Sequence, residues 1–66
     1  MYYPKTDKDC EALGWEEFIV YIGDYDLHVS IEPDTDLDGI FKAFCHDEQE
    51  MVSITGWNVS EFQIIE

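Results

Sequence analysis

At 66 residues, with 16 Asp plus Glu against 3 Lys plus Arg, the chain carries a formal net charge of -13. Charge of that sign repels phosphate and argues against direct nucleic-acid binding, while 45% hydrophobic and 15% aromatic residues exclude the sparse, charge-dominated composition of a disordered chain. A chain of this size is expected to form one thin-cored domain, since domains of roughly 60 residues bury only about 60% of the surface exposed on unfolding.

The run Met1, Tyr2, Tyr3, Pro4, Lys5 lacks the basic and then apolar pattern of a secretory signal, and no stretch is apolar enough to span a bilayer. A cytoplasmic location without membrane association is therefore expected. Two cysteines, Cys10 and Cys45, are too few for the disulfide framework of a small secreted scaffold and read as free buried thiols. The Asn58-Val59-Ser60 sequon would matter only in a secreted protein.

Along the chain, Thr6 with Asp9 three residues later and Gly14 beyond bracket a short helix over residues 7 to 13, with Cys10 and Leu13 as its apolar contacts. Residues 16 to 22 are β-branched and aromatic, and apolar on both faces after two opening acids, which predicts a central strand. Gly23-Asp24 then forms a tight turn. Residues 25 to 31 alternate, with Tyr25, Leu27, Val29 and Ile31 on one face and Asp26, His28 and Ser30 on the other, so that the two strands form a β-hairpin.

Residues 37 to 45 place Leu37, Ile40, Phe41 and Phe44 on one helical stripe, with Thr35 or Asp36 as cap and Gly39 as a weakness in the first turn. Asp47 to Gln49 form a polar loop. Residues 50 to 56 and 61 to 65 then read as a second hairpin joined by Gly56 to Ser60, with a short helix over 59 to 64 as the alternative for the last segment. The expected fold is α+β, in the order α-β-β-α-β-β, with about four antiparallel strands packed on one or two short helices. Its expected strand order is 2-1-3-4, which leaves the acidic second strand at an edge, where charge opposes aggregation.

Asp34-Thr35-Asp36-Leu37-Asp38-Gly39 matches the first half of an EF-hand calcium loop. Cys45 stands where the bidentate Glu should close that loop, and Glu32-Pro33 ends a strand where a helix should precede it. A small calcium-binding module through residues 34 to 39 is thus the alternative, and an acidic surface the preferred reading. Cys10, His28, Cys45 and His46 fit no paired zinc-ligand spacing, so no metal ligand and no cofactor is expected. Cys45 beside His46 does not make a nucleophile and its base, because neighbours on a helix diverge. No catalytic residue is assigned, and the chain is not expected to be an enzyme.

The acids instead coat a folded body. Residues two apart on an extended strand lie about 6.6 to 6.8 Å apart, near the spacing of successive phosphates, on the order of 6 to 7 Å. Asp24 with Asp26, and Glu32, Asp34 and Asp36 if extended, meet that spacing. The expected partner-binding set is Asp24, Asp26, Glu32, Asp34, Asp36 and Asp38, flanked by Asp47, Glu48 and Glu50.

Small size, extreme acidity, a high aromatic fraction and a pattern otherwise free of motifs resemble the phage-encoded DNA-mimic inhibitors, particularly the anti-CRISPR proteins of type I systems. That resemblance implies an inhibitor that binds a basic, DNA-reading surface of a type I CRISPR surveillance complex subunit, in the host cytoplasm, and excludes target DNA. Restriction enzymes, glycosylases and nucleoid proteins are further targets consistent with it. An acidic adaptor or antitoxin that binds a basic protein without imitating DNA is the competing expectation.

Overall fold

The computed structural model describes residues 3–65. Helix α1 (Asp7–Leu13) is followed by strands β1 (Glu16–Ile22), β2 (Tyr25–Ile31), β3 (Ile40–Cys45) and β4 (Glu50–Thr55), a 3-10 turn (Gly56–Asn58) and strand β5 (Glu61–Ile64). All neighbours pair antiparallel, in the order β4-β3-β2-β1-β5. One helix and a five-stranded antiparallel sheet make a small α+β fold, the class expected.

Local chemistry explains the first half. Thr6 caps α1 by accepting from the Asp9 N–H, Asp9 returns the contact by accepting from the Lys5 N–H, and Gly14 ends the helix at φ 75°. Cys10 is buried beneath it, but Leu13 stays 41% exposed instead of packing as expected. The β1–β2 hairpin closes through Gly23-Asp24, with Gly23 at φ 58° in the first central position, where a type II′ turn takes glycine.

Residues 37 to 45 depart from the expected helix. Their apolar residues also alternate, with Phe41, Ala43 and Cys45 on the face they share with Val29, and Phe44 on the face it shares with Ser30. Both faces are covered, so Phe41, Ala43, Phe44 and Cys45 are all buried. A strand buried on two sides has no single polar face, and its apolar residues fall as readily on a helical stripe as on alternation. A helix of that length is marginal by itself, whereas β3 pairs along its whole length with β4 and, at Phe44 and Cys45, with β2 as well. Thr35 and Asp36 consequently cap nothing: the Thr35 hydroxyl donates to the Glu32 carbonyl, and Asp36 accepts from the Asp38 N–H in a local turn.

The second hairpin also differs. β4 pairs with β3 through a four-residue loop, His46 to Gln49, and β5 crosses to the far edge to pair with β1. β1 is interior, as its two apolar faces predict, but the middle of the sheet is β2, not β1. The edges are β4 and β5, so the order 2-1-3-4 and an acidic second strand at the edge are both corrected.

Crossing from one edge to the other in so few residues requires the sheet to curl. Phe62 on β5 lies with its ring centroid 6.2 Å from Phe18 on β1 and 6.2 Å from Phe41 on β3. In a flat sheet β5 and β3 would be three spacings apart, about 14 Å. The concave face therefore closes over Phe18, Val20, Val29, Ile31, Phe41 and Ile54, with Leu37 and Val59 from the connections as lids. The convex face carries α1.

Candidate functional site

Antiparallel pairing decides where the acids go. Ile22 pairs with Tyr25 at the β1–β2 turn, and Val29 pairs with Cys45 just before the β3–β4 loop, with the His46 N–H donating to the His28 carbonyl. Both turns thus lie at one end of the sheet, the tip. Asp24, Asp26, Asp47, Glu48 and Glu50 gather there, all exposed. Glu61, which the sequence reading left out, joins them: it pairs with Tyr21, and Tyr21 pairs with Asp26, so the two carboxylates flank one tyrosine.

Glu32, Asp34, Asp36 and Asp38 lie at the other end of β2, in the connection to β3. The length of β2 separates the two groups, about 20 Å at the usual rise per residue. The expected set is therefore two acidic surfaces and not one. Nor is the 32–38 segment extended: Asp34 turns at φ 67°, and the Asp36 and Thr35 contacts fold it locally. A phosphate-like spacing along Glu32, Asp34 and Asp36 is thus absent.

The same geometry weakens the calcium alternative. Cys45, at the closing position of that loop, is a buried strand residue. Among the described residues, donor atoms come together within 4.8 Å not at Asp34, Asp36 and Asp38 but at Glu17, His28 and His46.

Alongside the tip runs an open groove of about 470 Å³, with Ile22, Leu27, Val52 and Ile54 as apolar floor and Asp47 and Glu48 at its margin. Lys5 and Lys8 belong to the helical segment and Lys42 to β3, so neither turn of the tip contains a lysine or arginine, and His46 in the second turn is paired with Asp7. The described ion pairs are both histidine to carboxylate, which leaves the tip acids without a cationic partner among the described residues.

A polar cluster that sequence reasoning missed sits on the convex face. The Asp7 carboxylate accepts from His46 Nδ1 at 2.6 Å and from the Gln49 amide at 2.7 Å. His46 Nδ1 is thereby the protonated nitrogen, and Nε2 accepts from the Ser30 hydroxyl at 2.6 Å. His28 stacks on His46, ring centroids 4.3 Å apart, and shares a 2.8 Å hydrogen bond with Glu17. The Gln49 amide, then the His46 imidazole, hold the Asp7 carboxyl below its ordinary range. Burial pushes the Cys10 thiol up, against a smaller opposing effect of the Ser30 hydroxyl.

Ser30, His46 and Asp7 have the connectivity of a nucleophile relay. Ser30, however, is fully buried beneath α1, and a substrate carbonyl has no approach to its oxygen. The relay serves to seat α1 on the sheet. Cys10 and Cys45 are both free and buried, as expected, and lie on opposite faces of the sheet.

The signal for this cluster was present but non-local. His28 alternates with Asp26 and Ser30 on a polar face, and reading residues 40 to 45 as a strand would have set His46 across from His28.

Comparison with family models, with curated protein sequences and with solved structures returns no match to this chain.

Proposed function

We propose that this protein is an inhibitor that occupies a basic, DNA-reading surface of another protein and keeps DNA from it. A type I CRISPR surveillance complex is the target class suggested by the sequence resemblance. The observation that carries this reading is the tip: carboxylates from two turns and the start of β5, brought to one end of the fold, exposed and with no lysine or arginine in those segments. Charge collected in this way steers a basic partner to it and repels nucleic acid. Mimicry here rests on charge density and not on a strand-like row of acids, since residues 32 to 38 are folded.

The groove beside the tip fits the same partner. Its apolar floor suits the aliphatic stem of an arginine or lysine whose charged head reaches Asp47 and Glu48.

The test is competition between the protein and a fluorescent target duplex for a purified type I surveillance complex. Displacement of DNA is expected, weakening as salt rises. Joint replacement of Asp24, Asp26, Asp47 and Glu48 by Lys should raise the inhibitory concentration at least about tenfold, equivalent to about 1.4 kcal/mol. Replacing Asp34, Asp36 and Asp38 by Lys tests the opposite end separately. Potency unchanged in both variants would remove the assignment. A partner footprint away from phosphate-contacting residues would identify an acidic adaptor instead.

A further inference from the structure

We infer that Glu17, His28 and His46 form a binding site for a divalent transition-metal ion of the zinc type. The inference goes beyond the proposed inhibitor function and does not depend on it.

The strands fix the arrangement before any side-chain rotamer is considered. Glu17 on β1, His28 on β2 and His46 at the end of β3 project from the same convex face of three neighbouring strands, and the His46 N–H to His28 carbonyl bond sets the two histidines directly across from each other. One donor atom from each lies within 4.8 Å of the others. Two imidazoles and a carboxylate favour zinc, nickel or copper over magnesium or calcium, which take all-oxygen sets.

Asp7 supplies what such a site needs behind its ligand. By accepting the His46 Nδ1 proton at 2.6 Å it fixes the tautomer and leaves Nε2 as the lone-pair nitrogen, the carboxylate–histidine pairing common around zinc. His46 is held in place, its side chain only 9% exposed, whereas His28 and Glu17 are 40% and 47% exposed and free to adjust.

Binding requires two exchanges. The imidazole planes lie 20° apart in a stack and do not converge on one point, so His28 swings out of the stack and exchanges tautomer through solvent, its proton moving from Nε2 to Nδ1 and the freed Nε2 lone pair taking the metal. His46 Nε2 also gives up the Ser30 hydroxyl. These costs point to weaker binding than that of a rigid, preformed site. In the other direction, a net charge of -13 concentrates cations at the surface, and a bound dication offsets Glu17 and Asp7.

Thermal unfolding of the whole chain with zinc chloride, against magnesium chloride at matched ionic strength, tests the site. Zinc should raise the midpoint in proportion to the logarithm of its concentration, as expected for binding to the native state; magnesium should act only as salt. His28→Gln and Glu17→Gln are exposed replacements expected to keep the fold by circular dichroism, and each should reduce the zinc-specific shift, His28→Gln abolishing it. Long-range proton–nitrogen NMR of the wild type gives a readout independent of the variants, because zinc should move the His28 and His46 Nε2 resonances together. Equal shifts with magnesium, a zinc shift retained in His28→Gln, or unmoved imidazole nitrogens would overturn the site.

Discussion

Asp7 joins the helix to the sheet through its hydrogen bonds from Gln49 and His46, and those donors favour its ionised form. A carboxyl held lower in the folded chain than in the unfolded one contributes stability that is complete above the unfolded value, about 3.9. That contribution disappears as pH falls through the lower, folded value. Urea unfolding should therefore find Asp7→Asn less stable than wild type at about pH 5, with the difference shrinking as pH falls below the unfolded carboxyl value of about 3.9. A difference that persists unchanged into acid would show that Asp7 acts through packing and not through its charge. His46, Ser30 and Asp7 were individually unremarkable in the sequence because their partners come from α1, β2 and the β3–β4 loop, far apart along the chain.

Among the elements, the connection after β2 and the 3-10 turn after β4 hold each other. Gly56 donates its N–H to the Gly39 carbonyl at 2.8 Å, and a Cβ at Gly56 would lie 1.7 Å from the Leu37 carbonyl oxygen. Backbone cannot yield as a flexible side chain does. Gly56→Ala should thus cost about 1 to 3 kcal/mol or more, read from the urea midpoint. It should also loosen the 32–39 segment, visible as faster amide exchange there. Undiminished stability would mean that the two connections part at little cost. The contact also explains why residues 37 to 45 form no helix: Leu37 and Gly39 are held by the crossing to β5, and β3 begins directly after them. The turn chemistry of α1 and the β1–β2 hairpin was legible because caps, glycines and alternation act within a few residues. β3 was not, since burial on both faces erases its period.

For the whole molecule, dimensions decide how the charge acts. The described residues span 29 × 20 × 20 Å, with a radius of gyration of 10.9 Å, close to the value of about 11 Å for a compact chain of this length. At about 0.01 M salt the screening length of about 30 Å lets every carboxylate repel every other, whereas at about 0.15 M only neighbours within about 8 Å do so. The thermal midpoint should accordingly rise with sodium chloride over that range while inhibition of a basic partner weakens. A midpoint that falls with salt would mean that favourable pairs, not self-repulsion, dominate the electrostatics.

The sequence by itself determined the acidity, the short capped helix, the first hairpin with its glycine turn, and the free thiols, because each depends on composition or on near neighbours. Tertiary structure alone decided that β5 returns to β1, that the curled sheet closes over Phe18, Phe41 and Phe62, and that the acids divide between two ends. It also decided that two histidines meet across β2 and β3 beside Glu17. Strand pairing is non-local and is selected by the burial of whole faces, which no window of neighbouring residues contains.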